Sequence, residues 1–249
     1  GTDVGSTATT AVKDGSDYII NGKKHFVTNG GFADYLMVLV STEPGTGHRG
    51  LSMVIIDKDT PGFSVGRHEL KLGIRGSDTS ELLFDNCRIP QANRLGEEGR
   101  GLKISLTILD GGRIGIAAQA LGIAQAAYDD AVAYAKERTQ FGKPIAEFQA
   151  IAFKIAEMAT ELEAARLMTY KAAWLKDQGE DYKMASSMAK LYASEASIRI
   201  TNEALQIHGG YGYVRDFNVE RYYRDARITT IYEGTSEAQK IVISRNILR

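Results

Sequence analysis

The apolar residues of this chain change period once, near Ile89-Pro90, and that switch divides what the chain can fold into. Upstream the apolar runs are short, rich in β-branched and aromatic residues, and punctuated by turn formers. Tyr18-Ile19-Ile20 and His25-Phe26-Val27 flank Asn21-Gly22, which predicts a tight hairpin because both central positions of such a turn need positive φ. Asp14-Gly15 predicts another turn. Tyr35 to Val40, Leu51 to Ile56 and Leu82 to Phe84 read as further strands, between loops holding Pro44-Gly45 and Pro61-Gly62. No helical period interrupts them, so residues 1–92 are expected to form an antiparallel, barrel-like β domain.

Downstream the spacing becomes three and four. Leu102, Leu106, Leu109, Ile116, Ala120, Ile123, Ala127 and Tyr134 form one stripe, broken at Phe141-Gly142 and Pro144. Phe148, Ile151, Ile155, Met158, Leu162 and Ala165 form a second, ending before Gly179. Met184, Met188, Leu191, Ile198 and Leu205 mark a third, closed by Gly209-Gly210. A short helix is expected over Val219 to Ala226, and a last one after Thr235-Ser236, where Ser236 and Gln239 have capping-box spacing. Long helices with short connections predict an up-down four-helix bundle over residues 93–249, and an α+β chain as a whole.

Composition narrows the function. The longest apolar run, Tyr35 to Val40, is far short of the roughly 20 residues a bilayer span needs. A net charge of -1 without blocks of like charge argues against nucleic acid and anionic membranes, and leaves small-molecule chemistry as the expectation. The single cysteine, Cys87, excludes a disulfide framework and a multi-cysteine metal site, and reads as a packed thiol. The opening GTDVGSTATT has no initiator methionine and no capped element, so further residues are expected upstream.

Four polar or glycine-rich clusters interrupt the stripes. Asp110-Gly111-Gly112-Arg113 puts two glycines inside a helix at about 1 kcal/mol each, so something approaches that backbone; a close helix crossing and a surface ion pair would also account for it. Arg138-Thr139-Gln140-Phe141-Gly142, with Gln149 soon after, offers a guanidinium and an aromatic ring to a pyrophosphate and a ring system, and equally fits a helix end. Gln206-Ile207-His208-Gly209-Gly210-Tyr211-Gly212 has more glycines than a helix cap explains and lets backbone lie against a ligand. His208 lacks any partner at ligand spacing, so no metal is expected. In Ile231-Tyr232-Glu233-Gly234-Thr235-Ser236-Glu237, Glu233 could enter a cavity as a general base with a raised pKa, or merely interact with the dipole of the following helix.

In this order the clusters resemble the acyl-CoA dehydrogenase family over the whole chain. GTD resembles the tail of that family's loop ending in serine or threonine and aspartate, and Phe26-Val27-Thr28 resembles the strand beside its flavin, where relatives often have tryptophan at the place of Phe26. The resemblance implies FAD as cofactor, an acyl-CoA substrate, electron-transfer flavoprotein as electron acceptor and a homotetramer. It implies that Glu233 takes the α-proton of a CoA thioester while the β-hydrogen leaves as hydride to flavin N5, giving the trans-2-enoyl-CoA. Some relatives carry the base on the helix beside the arginine, at the place of Gly112. By the same resemblance Phe26, Val27, Thr28, Arg138, Phe141, Gln149, Gln206, Ile207, His208, Gly209, Gly210, Thr235, Ser236 and Glu237 meet FAD. Thr2, Asp110, Gly111, Gly112, Arg113 and Gly234 meet the acyl-CoA. A short-chain, butyryl-CoA-type enzyme is the leading reading. Medium- or branched-chain enzymes, an acyl-CoA oxidase and a colourless, non-catalytic scaffold of the same fold are the alternatives. The family's N-terminal helical domain has no counterpart in the sequence. Bacterial cytoplasm is the expected location, with the mitochondrial matrix as the alternative.

Overall fold

The protein is described by a computed structural model covering residues 2–248. It divides into two compact units: one holds the residues up to Lys71 together with Arg75–Ile108, the other Leu72–Ile74 and the residues from Leu109 onward.

In the first unit the described residues form a sheet of seven strands, β1 (Thr10–Asp14), β2 (Asp17–Thr28), β3 (Tyr35–Ser41), β4 (Leu51–Asp57), β5 (Phe63–His68), β6 (Thr79–Pro90) and β7 (Arg94–Leu95). Their order is β5-β6-β2-β1-β3-β4-β7. All neighbours are antiparallel except β1 and β3, which meet in parallel at Thr10 and Ser41. Alternate residues face one core, among them Tyr18 and Ile20, Leu36, Val38 and Val40, and Leu82 and Phe84. Cys87 is buried in that core, and burial pushes its thiol pKa up, which keeps it in the unreactive form.

The Asp14-Gly15 turn is present: Asp14 pairs with Asp17, and Gly15 has φ 60°. Asn21-Gly22 is not a turn. It lies within the 12-residue strand β2, because the partner strand β6 bulges there, with Ile20 opposite Cys87 but Gly22 opposite Phe84. Asn21 Oδ1 accepts the Asn86 N–H of that bulge at 2.8 Å. The glycine is required by close approach, since a Cβ on Gly22 would stand 2.9 Å from Thr9 Cα.

In the second unit α1 (Gly101–Glu137), which starts in the first unit's residue range, α2 (Gln149–Asp177) and α3 (Lys183–His208) supply the core, followed by α4 (Val219–Ala226) and α5 (Ser236–Ile247). A two-stranded ribbon, β8 (Thr139–Gln140) and β9 (Lys143–Pro144), separates α1 from α2. The buried seam of α1 is alanine, at Ala117, Ala120, Ala124, Ala127, Ala131 and Ala135, while Leu106 of the expected stripe is 43% exposed. Small residues at i, i+3 and i+4 spacing let helices pack closely; the expected stripe contained Ala120 and Ala127 of this face but not its other alanines. The cap of α5 lies one residue before the expected one: Thr235 accepts from the Ala238 N–H at 3.2 Å, and Gln239 serves another purpose. No described helix is long and apolar enough to cross a membrane.

Candidate active site

Glu233 sits on a turn that the chain would not adopt unaided. Its φ is 53°, in the left-handed region, and Gly234 follows at 87°. A non-glycine residue there costs about 1–2 kcal/mol. Three hydrogen bonds oppose that cost. Gln239 Nε2 donates to the carbonyls of Glu233 (3.2 Å) and Gly234 (3.0 Å), and the Lys190 ammonium donates to the Gly234 carbonyl at 2.6 Å. A bond from a charged donor contributes about 1.5–3 kcal/mol and each neutral one about 1 kcal/mol, so the turn is held with some excess. On either side, Tyr232 donates its hydroxyl to Gln119 Oε1 of α1, and Thr235 caps α5.

The turn delivers the Glu233 carboxylate to the backbone of α1. Its Oε2 lies 2.8 Å, and its carboxyl carbon 3.4 Å, from where a Cβ on Gly112 would be. This is the approach that the glycines in α1 anticipated, and the approaching group is a carboxylate. Nearby, Arg113 and Asp110 form a buried ion pair at 2.7 Å, and the same Arg113 Nη1 also donates to Ser187 Oγ at 3.1 Å, while its Nε is buried without a partner among the described residues. Burial pushes the Glu233 pKa above the usual carboxylate range, with the charges of Arg113 and Lys190 pulling against it. A half-buried carboxyl with a raised pKa, two cations nearby and no direct ion pair among the described residues is suited to taking and holding a proton.

A second feature of this unit is a cavity of about 760 Å³ whose lining includes Tyr134, Arg138, His208, Gly209, Gly210 and Tyr211. The Arg138 guanidinium lies 5.5 Å from the centre of the Tyr211 ring and forms no ion pair among the described residues, although Asp216 shares the lining of this cavity. A Cβ built on Gly209 or Gly210 meets nothing within 4 Å, so this backbone faces open space. An uncommitted guanidinium, bare glycine backbone and aromatic walls fit the phosphate and ring portions of a dinucleotide such as FAD. The His208 ring itself is occupied, stacked on Tyr134 at 4.2 Å with its Nδ1 on the Ala204 carbonyl at 2.8 Å. Ile207 is buried, while Gln206 at the end of α3 is exposed. Phe141 is 94% exposed at the tip of the β8–β9 ribbon with φ 52°, and Gln149 is exposed at the start of α2. Ser236 is buried and donates to Glu195 Oε1 at 2.7 Å, and Glu237 is exposed beyond the cap, with its pKa lowered chiefly by its backbone hydrogen bond.

In the first unit, Phe26 occupies a bulge in β2, where His25 and Phe26 together oppose Glu81, with φ 55° and its ring 73% exposed. Val27 packs against the core of the sheet, Thr28 is exposed opposite Thr79, and Thr2 is exposed. The residues that sequence reasoning missed are Lys190, Gln239 and Gln119. Only Lys190 carried a signal: a cation on a helical face otherwise made of Ser186, Ser187, Ala189, Ala193, Ser194 and Ser197, all buried.

The profile of the acyl-CoA dehydrogenase middle domain matches residues 1–87, and that of the acyl-CoA dehydrogenase C-terminal domain matches residues 99–248. An acryloyl-CoA reductase (NADH) of Anaerotignum propionicum is 52% identical over 251 residues, covering 100% of this chain and 64% of its own length. Butyryl-CoA dehydrogenase from Megasphaera elsdenii superposes with a TM-score of 0.99 at 49% identity, over 100% of this chain and 65% of that one. A chain in the structure of the electron transferring flavoprotein of Acidaminococcus fermentans also gives 0.99, at 51% identity over 100% and 66%. The chain therefore spans just under two thirds of the length of these proteins.

Two outcomes follow. In Gly112→Ala the added methyl displaces only the end of a flexible side chain while the helix gains up to about 1 kcal/mol, so stability should not fall by more than about 1 kcal/mol; a crystal structure of the variant should show the Glu233 carboxylate moved off α1. For Glu233→Gln the sign comes from the raised folded-state pKa. The wild-type carboxyl carries no ionisation penalty below its unfolded pKa of about 4.3, and the full penalty once pH has passed the folded value. Melting curves should therefore show the variant more stable than wild type at pH 8, with the difference vanishing near pH 4.

Proposed function

Because the chain belongs to the acyl-CoA dehydrogenase family and carries its middle and C-terminal domains, we propose that it forms the base-bearing part of an FAD-dependent short-chain acyl-CoA dehydrogenase. The observation that carries this reading is the Glu233 carboxylate, held over Gly112 with its pKa raised by burial. Glu233 removes the α-proton of the thioester, and the β-hydrogen departs with its electron pair, leaving a trans-2-enoyl-CoA. FAD, when bound, supplies the two-electron acceptor for that hydride. Burial of the base matters because an α-C–H becomes acidic enough only where water is excluded and the developing enolate is met by fixed donors. Gly234 leaves room for the thioester, and Asp110, Gly111 and Arg113 are the acyl-CoA side of the helical unit. In the helical unit Arg138, Phe141, Gln149 and the Gln206 to Gly210 backbone hold the dinucleotide, with Thr235, Ser236 and Glu237.

The short-chain assignment is supported by butyryl-CoA and acryloyl-CoA in the names of two relatives, both short acyl groups. Electron-transfer flavoprotein as the acceptor is supported by the likeness to a chain from a structure of that protein. A homotetramer agrees with the family. The reductase name of one relative favours a second reading in which the same residues work in reverse, Glu233 delivering the α-proton to an enoyl-CoA.

The test is the visible spectrum. The purified protein should show flavin bands that butyryl-CoA bleaches under anaerobic conditions, faster than medium- or branched-chain esters do. Glu233→Gln should keep its flavin and lose about 10²- to 10⁴-fold in bleaching rate, the usual contribution of a general base. A colourless protein, or normal bleaching by the variant, refutes the proposal.

A further inference from the structure

We infer that Lys190 is a positioning residue for the base: from the core of the helical unit its ammonium holds the Gly234 carbonyl, and through it the turn that presents Glu233 to α1. This rests on the reading of Glu233 as the base. Lys190 is wholly buried in α3, with neighbours on its face that are serine and alanine. A buried ammonium is costly to desolvate, and an apolar side chain would fill the same space at no such cost. It forms no ion pair among the described residues; its hydrogen-bond partner there is the carbonyl one residue beyond Glu233, at 2.6 Å.

That carbonyl is the point of greatest leverage. The two residues with positive φ, Glu233 and Gly234, end there, and Gln239 meets the same oxygen from α5 at 3.0 Å. With the ammonium removed, Gly234 retains only the neutral donor, and nothing charged opposes relaxation of Glu233 out of the left-handed region. The charges around Lys190 agree with this role. Burial lowers its pKa to about 8, while Glu233 is the largest influence holding it protonated; Arg113 from α1 opposes, and Glu195 of α3 and Glu237 of α5 add weakly. Reciprocally, Lys190 favours the ionised form of Glu233. One residue thus holds the turn that carries the carboxylate and, after burial and Arg113, also favours its ionised form.

The sign for a variant follows. Lys190→Met removes a cation that favours the carboxylate, so Glu233 should lose its proton at higher pH. In the flavin-loaded protein, anaerobic bleaching by butyryl-CoA should fall by about tenfold or more as the turn relaxes, with a larger loss at low pH than at high pH because the carboxyl keeps its proton further up the scale. Isotope-edited infrared spectra of the resting protein, with the Glu233→Gln spectrum subtracted, should show the carboxyl band persisting to higher pH than in wild type. Flavin content and melting curves establish that the variant folds. A folded, flavin-loaded variant whose bleaching rate and infrared titration both match wild type shows a lysine of purely structural importance, and that result overturns the assignment. If Lys190→Met does not fold, Lys190→Gln decides on the same two readouts, since it keeps a donor and loses the charge. The two readings fail separately: normal bleaching in Glu233→Gln removes the base itself, whereas an inert Glu233→Gln beside a Lys190→Met that bleaches like wild type leaves the base and removes Lys190.

Discussion

The helical unit's chemistry depends on a carboxylate resting against bare helix backbone. Glu233 reaches α1 only because Gly112 has no side chain, and it approaches from above because the turn at residues 233 and 234 runs through the left-handed region. Each feature is unfavourable by itself: a glycine inside a helix, a glutamate at positive φ, a carboxyl half out of water and a fully buried lysine. Local costs of this kind persist only where surrounding contacts outweigh them, and here these contacts converge on two carbonyls, those of Glu233 and Gly234. A helix–turn unit selected for stability alone would have none of the four.

The electrostatics follow from the same arrangement. Two cations, Arg113 and Lys190, lie close enough to affect Glu233, yet neither pairs with it directly. Arg113 is bound to Asp110 and Ser187, and Lys190 to backbone. A direct ion pair would hold the carboxyl ionised and too weak a base to take a proton from carbon. Two cations at one remove leave it half-buried with its pKa raised. Burial outweighs the attraction, and the balance suits the general-base role proposed for Glu233.

Much of this was legible in the chain, in proportion to how local the cause was. The change of period near Ile89 separates sheet from helices because a strand repeats every two residues and a helix every 3.6. The glycines at 111 and 112 announced a close approach, and Glu233 before Gly234 announced a candidate base. Signals that depend on a distant partner misled or were silent. Asn21-Gly22 looks like a hairpin turn until β6 bulges opposite it, and that bulge is set by residues more than sixty positions away. The alanine seam of α1 was read only in part: Ala120 and Ala127 lay in the expected stripe, whereas Ala117, Ala124, Ala131 and Ala135 did not, and Leu106 of that stripe is exposed. Gln239 resembled half of a capping box, whereas it reaches back to hold the turn. Lys190 stood in plain view on a face of small residues, but its meaning requires knowing which carbonyl lies above it.

The most direct measurement is a crystal structure of the flavin-loaded protein with a short acyl-CoA that cannot be oxidised. The account predicts the Glu233 carboxylate over residue 112, within hydrogen-bonding distance of the α-carbon, with Gly234 still held by Lys190. A Glu233 side chain turned into bulk solvent, with another group poised at the α-carbon, would contradict it.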